Sequence, residues 1–150
     1  MRARTIFVTL IVFLAFQNTY GQNSDSTKIV NCVLKYDVRS IPPGVRSAIQ
    51  SKNKTRFAMA NPGEKFQMTD VISEYGLNDR RLVFWATCQE RVILFYEHGG
   101  WGYHKHIIEF LKQRNKYSIS KNISGDNVKT LQDVIRRLND NDAAKKVRDF

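Results

Sequence analysis

The hydrophobic residues of this chain are concentrated between Arg81 and Lys112, where two dense apolar runs lie close together. The first run, Leu82 to Thr87, and the second, Arg91 to Glu97, are each short for a helix and have the length of a buried strand. Because only Cys88, Gln89 and Glu90 separate the two runs, we expect them to form an antiparallel hairpin.

A glycine-rich turn follows the second run and leaves the next segment open to two interpretations. Three glycines between positions 99 and 102 mark a turn that needs positive φ angles, after which His104 to Lys112 forms either a third strand or a helix. In the helical alternative one face carries His104, Ile107, Ile108 and Leu111. We favour the strand, because a second hairpin follows naturally from the preceding strand and the turn.

Shorter elements are predicted on either side of this stretch. They are strands at 29–36, 56–60 and 117–120, and a short helix at 45–52. Asn61-Pro62-Gly63 predicts a type II turn, because proline fits its second position and glycine its third. Residues 66–70 fit an edge strand and residues 70–75 fit a short helix, and the pattern does not separate these two interpretations.

An amphipathic helix is predicted from Val128 to Asn139. Its apolar positions recur at helical spacing and comprise Val128, Leu131, Val134, Ile135 and Leu138. The elements together predict an α+β fold. We expect an antiparallel sheet of about four to five strands, a meander around residues 81–112, with a long C-terminal amphipathic helix packed on it.

The first residues have the pattern of a secretory signal peptide. Arg2 and Arg4 precede an apolar run from Ile6 to Phe16, and Thr19-Tyr20-Gly21 places small residues just before a cleavage point at Gln22. Because the run is shorter than the roughly 20 residues that span a bilayer, we expect cleavage rather than a membrane anchor. The predicted organisation is a signal peptide at 1–21, a flexible segment at 22–28, one secreted domain at 29–139 and a charged tail at 140–150.

The charge of the chain favours anionic partners. The formal net charge is +10, and it falls to +8 without the leader, which contains two arginines and no acidic residue. The basic residues are clustered and comprise Lys52, Lys54, Arg56, Arg80, Arg81, Lys112, Arg114, Lys116 and Lys121. We expect an anionic ligand or an extracellular protein as partner, and nucleic acid only if the protein is a nuclease. A charged, solvated surface is the alternative explanation of the same clusters.

Covalent features of the secretory route are predicted at four positions. Cys32 and Cys88 form an even pair in an oxidising compartment, so we expect one disulfide. It closes a long loop and contributes on the order of 4 kcal/mol to stability by chain entropy. Asn53 and Asn122 each begin an N-glycosylation sequence.

Candidate chemistry lies at the loop end of the predicted second hairpin. A four-residue loop at 99–102 places Glu97 opposite His104 and Phe95 opposite His106, so that one face carries Glu97, His104 and His106. A carboxylate and two imidazoles can hold a metal or act as general acid and base. The alternative is that these histidines are half-buried, hydrogen-bonded structural side chains. Candidate binding residues are Trp101, Tyr103, Lys105 and Arg91.

No sequence motif for a catalytic nucleophile, a phosphate-binding loop, a metalloprotease helix or a calcium loop is present. We therefore expect a small, basic, secreted binding protein that acts without catalysis and without a cofactor. One alternative is a secreted hydrolase resembling a phosphodiesterase or nuclease, which uses Glu97, His104 and His106. Another is a membrane-active defence protein that uses the helix at 128–139.

Overall fold

A computed structural model of the chain describes residues 31–53, 57–71 and 74–140. The predicted signal peptide, the segment 22–28 and the tail beyond Asp140 lie outside the described residues. The described strands are β1 (Cys32–Lys35), β2 (Arg80–Cys88), β3 (Arg91–His98), β4 (His104–Gln113) and β5 (Lys116–Ser124). The described helices are a 3-10 turn (Val38–Ser40), α1 (Pro43–Asn53) and α2 (Leu131–Asn139).

The five strands form one antiparallel meander in which each strand pairs with its neighbours in the sequence. Tight turns make this order possible. Gln89 at φ 56° closes the β2–β3 turn, and Arg114 at φ 55° lies in the β4–β5 turn. The sheet confirms the predicted α+β class, and β4 confirms the strand interpretation of the segment that begins at His104.

Both faces of the sheet are covered, each by one helix. One face packs with α1 around residues that include Val45, Ile49, Trp85, Leu94, Tyr96 and Ile108. The other face packs with α2 around residues that include Phe84, Ile93, Phe95, Ile107, Val134 and Leu138. Because β3 lies in the middle of the sheet between these two layers, residues 92–96 are buried without the usual alternation.

The chain between β1 and β2 contains less regular structure than the sequence pattern predicts. The predicted short helix is confirmed as α1, with Pro43 in its first turn, where a missing N–H costs nothing. The predicted strand at 56–60 is wrong for its described residues, since only Ala60 pairs, through a parallel bridge to Arg81. The described residues between 66 and 75 form neither the edge strand nor the helix.

The turn after Ala60 has the predicted geometry. The amide of Glu64 donates to the carbonyl of Asn61 at 3.1 Å, and Gly63 has φ 82°. A type II turn requires a positive φ at this third position, which glycine adopts without strain.

The predicted long C-terminal helix is wrong in length, because α2 has nine residues and begins three positions later, at Leu131. Thr130 caps it: the Thr130 hydroxyl accepts from the Asp133 amide at 3.2 Å, and the Asp133 carboxylate accepts from the Thr130 amide at 3.0 Å. This reciprocal capping box fixes the start of a helix. Asn127 at φ 64° lies outside helical backbone geometry. No helix in the described residues is long and apolar enough to cross a membrane.

The predicted disulfide is confirmed. Cys32 and Cys88 are direct partners in the β1–β2 register, and their sulfur atoms are bonded. The bond links the first strand of the sheet to the end of β2, 56 positions later in the sequence. It therefore holds the edge strand β1 onto the core strands.

Candidate metal site

The pairing of β3 with β4 differs by one residue from the predicted register. His98 lies opposite His104, Glu97 opposite Lys105, and Tyr96 opposite His106. The connection is thus five residues, 99–103, and the predicted four-residue loop is wrong. Since neighbouring side chains on a strand point to opposite faces, this shift moves Glu97 away from both histidines and brings His98 to them.

Close backbone packing holds the five-residue loop in place. The Gly99 amide donates to the carbonyl of Asp79 at 2.9 Å. A Cβ on Gly99 would lie 1.8 Å from the carbonyl oxygen of Gln67, so only glycine fits there. Gly100 has φ 100°, a conformation that residues with a side chain rarely adopt. The glycines therefore press the loop against the 67–68 segment.

Glu97 belongs to an ion-pair network on the face opposite the histidines. Its carboxylate accepts from Arg81 Nε at 2.6 Å and from the Tyr103 hydroxyl at 2.5 Å. Burial by itself would raise the pKa of Glu97, but these two hydrogen bonds, together with the charges of Arg81 and Lys105, hold the pKa below its usual value. Burial and the neighbouring carboxylate raise the pKa of Tyr103 to about 12. The predicted group of Glu97, His104 and His106 is therefore not assembled.

The other face brings together all three histidines of the chain, at the end of β3 and the start of β4. Their ring centroids lie 4.6 Å apart for His104 and His106, 5.0 Å for His98 and His104, and 5.5 Å for His98 and His106. One ring nitrogen from each histidine lies within 4.8 Å of the other two. We call this set the three-histidine group.

Each imidazole has an oxygen atom close to one of its two ring nitrogens. The Gly102 carbonyl oxygen lies 2.6 Å from Nδ1 of His104. The Asn122 side-chain oxygen lies 3.4 Å from Nδ1 of His106, and an Asp79 carboxylate oxygen lies 3.5 Å from Nε2 of His98. Because a neutral imidazole carries one proton, these oxygen acceptors favour protonation of the nitrogen beside them and leave a lone pair on the other ring nitrogen.

Two of these remaining nitrogens are buried and have no hydrogen-bond partner. Nδ1 of His98 and Nε2 of His106 have no hydrogen-bond partner among the described residues. Leaving a buried polar atom without a partner costs about 1–3 kcal/mol, so native proteins rarely retain such atoms without a reason. The three-histidine group thus contains nitrogen lone pairs that no described protein donor uses.

His106 stays neutral over the physiological pH range. Its side chain is completely buried, and its ring stacks on Tyr96 with centroids 5.0 Å apart and 7° between the planes. Burial, followed by the nearby charge of His104, lowers the pKa of His106 to about 4. A neutral imidazole is the form that binds a metal, so no proton has to be removed from His106 at pH 7.

Asp79 connects the three-histidine group to a buried arginine. Arg80 Nη1 lies 2.7 and 2.9 Å from the two Asp79 carboxylate oxygens, while the Arg80 guanidinium stacks over Phe57 at 5.1 Å. The hydrogen bond to His98, and then the charge of Arg80, lower the pKa of Asp79. The carboxylate is therefore ionised and orients His98, as carboxylates behind metal-binding histidines do.

A cavity of about 460 Å³ opens beside the group. Its walls are Asp79, His98, His104 and the glycine-rich loop. Trp101 also lines the cavity and is 99% exposed. The indole therefore stands in solvent at the mouth of the cavity rather than in the core.

The remaining predicted binding residues lie elsewhere. Arg91 pairs at 3.2 Å with the buried carboxylate of Glu109. The Lys105 amine lies 5.9 Å from the Phe95 ring centroid, on the face away from the histidines. Both cations thus contact the sheet rather than line the cavity.

The predicted basic clusters divide into residues held by the protein and residues in solvent. Arg80 and Arg81 pair with Asp79 and Glu97, and the Lys121 amine donates to the Leu138 carbonyl at 2.5 Å. The exposed members are Lys52, Lys112, Arg114 and Lys116. Lys54 and Arg56 lie outside the described residues. The β4–β5 turn therefore carries the largest exposed part of these clusters in the described chain.

The sequence contained a signal for the correct register. A five-residue loop pairs the opposite charges of Glu97 and Lys105, and such cross-strand pairs stabilise a sheet. The predicted register instead placed Phe95 opposite a histidine. Charge matching across the strands would have identified His98 as the third member of the group.

Comparisons with protein-family models, curated proteins and solved structures find no match to this chain.

Proposed function

We propose that this chain is a secreted protein that binds one divalent transition-metal ion, such as zinc, through His98, His104 and His106. One observation carries the proposal: buried Nδ1 of His98 and buried Nε2 of His106 lack partners in the described chain, and the three histidines each place one ring nitrogen within 4.8 Å of the others. A metal at the centre would satisfy both atoms at once.

The distances are compatible with zinc after small movements. Zinc binds imidazole nitrogen at about 2.0–2.1 Å, which places tetrahedral ligand atoms about 3.4 Å apart. Nitrogens that lie within 4.8 Å of one another reach that spacing when each ring moves by roughly 1 Å. Only the side chains have to move, because the backbones of His98 and His104 are held in place as direct partners in the sheet.

The ligand types favour zinc, copper or nickel over calcium and magnesium. Imidazole nitrogen binds these transition metals well, whereas calcium and magnesium require mainly oxygen ligands. The oxygen acceptors beside the three imidazoles are also typical of a metal centre. Metal-binding histidines donate the N–H of their second ring nitrogen to a carboxylate, carbonyl or amide oxygen. Asp79, Gly102 and Asn122 occupy those positions.

Secretion is part of this proposal. The leader pattern at 1–21 and the bonded pair Cys32–Cys88 both support an oxidising compartment. We propose glycosylation at Asn53 and Asn122 as part of the same secretory route. Mass spectrometry of protein from the culture medium tests secretion and cleavage, and a mature chain that begins at Gln22 is the expected result. Intact residues 1–21 in that protein would contradict cleavage.

Metal affinity is the direct test of the three-histidine group. In competition with a chelator, purified mature protein is expected to bind one equivalent of Zn²⁺, and His104→Ala to weaken that binding at least 100-fold, because one of three ligands is lost. At a free zinc concentration 100 times its Kd, the wild type gains about 2.7 kcal/mol of stability.

Glu97→Gln is the matched control, since Glu97 lies on the same hairpin but on the opposite face. Its zinc affinity is expected to equal that of the wild type. His98→Ala provides a second ligand variant that is not completely buried. Equal zinc binding by wild type, His104→Ala and His98→Ala would overturn the proposed metal site.

A further inference from the structure

The three-histidine group supplies fewer ligands than a closed metal site requires. Structural zinc sites use four protein ligands, and zinc sites with three keep the fourth position for water or an exogenous ligand. Within the described residues the group contains no fourth histidine, cysteine, aspartate or glutamate. The cavity of about 460 Å³ adjoins His98 and His104, so the fourth position has a route to solvent.

The charge balance of this cavity favours an anion. Histidine binds a metal as a neutral imidazole, so the three ligands would add no charge, and the charge of Asp79 is offset by Arg80 at 2.7 Å. The +2 charge of the bound metal would therefore remain uncompensated, and bound cations are often the largest local charge in a site. The formal net charge of the chain, +10 in full and +8 without the leader, acts in the same direction.

The wall of the cavity favours an apolar group next to that anion. Gly99, Gly100 and Gly102 contribute no side chains, whereas Trp101 presents an indole that is 99% exposed. Exposed tryptophan is a strong anchor for ligands, because its large flat surface loses little conformational entropy on binding. A cavity of this volume falls within the range that small organic ligands occupy.

We infer that the metal in the three-histidine group takes a small aromatic monocarboxylate as its exchangeable fourth ligand. One carboxylate oxygen binds the metal and displaces a water molecule, and the ring lies against Trp101. This inference rests on the proposed metal binding and extends it from the ion to a class of organic ligand.

Cobalt substitution tests this inference separately from metal binding. The mature protein is loaded with Co²⁺, whose visible absorption reports the ligands of the metal, and is then titrated with benzoate. Benzoate is expected to change the cobalt spectrum in a saturable way. Benzyl alcohol, which has the same ring without the carboxylate, is expected to leave the spectrum unchanged.

Trp101→Ala tests the contact with the aromatic ring. This exposed substitution is expected to weaken benzoate binding about tenfold and to leave acetate binding unchanged, because acetate has no ring. Tyr75→Ala is the matched control: Tyr75 is also exposed, at 92%, but does not line the cavity. Benzoate affinity is expected to stay at the wild-type level in this variant.

Four outcomes would contradict the inference. If Co²⁺ binds and His104→Ala abolishes that binding, but benzoate leaves the spectrum unchanged, the fourth position is closed and only the metal proposal stands. If benzyl alcohol changes the spectrum as benzoate does, or Trp101→Ala binds benzoate like the wild type, the assignment of an aromatic carboxylate against Trp101 is wrong. If Co²⁺ and Zn²⁺ both fail to bind the wild type, the metal proposal itself fails.

Discussion

The two faces at the loop end of the β3–β4 hairpin carry polar side chains whose hydrogen-bonding groups are satisfied to very different degrees. On one face Glu97 accepts hydrogen bonds from Arg81 and Tyr103. On the other, His98 and His106 each keep a buried nitrogen without a partner among the described residues. Neighbouring positions on the same two strands thus form a complete hydrogen-bond network on one face. On the other face they leave ring nitrogens without a partner among the described residues.

This difference distinguishes a structural role from a functional one. A structural role accounts for the Glu97 network, because each charge has a partner and the Arg81 guanidinium also stacks on Phe66 at 4.4 Å. A structural role does not account for the three-histidine group, because burying an unsatisfied nitrogen costs stability. Perturbed and unsatisfied groups beside a cavity are typical of functional sites. We therefore assign the binding role to the histidine face.

Acid is expected to affect the two faces in separate pH ranges, with the larger effect on the histidine face. The pKa of His106 is about 4 in the folded protein against an ordinary value of 6.5. Between these values the unfolded chain binds more protons, so the stability of the metal-free protein falls as the pH is lowered from 6.5 to 4. The loss approaches roughly 3 kcal/mol.

Glu97 acts in the same direction as His106, since its pKa is also lowered by folding, but at lower pH. Its folded pKa lies below the ordinary value of 4.5. Its stabilisation is therefore present above pH 4.5 and is lost as the pH falls through the lowered pKa. Urea unfolding at a series of pH values, with chelator present, measures both ranges. His106→Asn is expected to flatten the upper range and Glu97→Gln the lower one; the reverse assignment would contradict the comparison.

Asp79→Asn is expected to weaken zinc binding about 10–100-fold without removing a ligand, because the substitution takes away the carboxylate that orients His98. Metal competition measures the change. Asp126→Asn serves as a control, since Asp126 accepts from the Lys105 amide rather than from a histidine. An unchanged zinc affinity in Asp79→Asn would show that Asp79 pairs with Arg80 but does not help His98 to bind the metal.

Glu97→Gln is expected to have the smallest effect at neutral pH and to change stability rather than metal binding. The substitution leaves Arg81 and Tyr103 with a neutral partner in a half-buried position, at a cost of about 1 kcal/mol. Urea unfolding at pH 7 measures that cost. Weaker zinc binding in this variant, at unchanged folding, would mean that the two faces are not independent.

The hydrophobic pattern by itself determined the central strands of the meander, and the presence of only two cysteines determined the disulfide partners. The runs at Leu82 and Arg91 and the glycines after His98 predicted the hairpins, because strand burial and turn geometry are local consequences of residue type. Local patterns were less informative for the start of α2. There the capping box at Thr130 outweighed the apolar position at Val128.

Only the tertiary structure decided which polar residues meet. A loop of five residues instead of four places every side chain of β4 on the other face relative to β3, and alternating strands turn that one residue into a different site. Gly99 fixes the loop through its contact with Gln67, a residue 32 positions away in the sequence. The sequence determined that histidines and a glutamate would lie near the turn, whereas packing between distant segments decided that the three histidines face one another and Glu97 faces away.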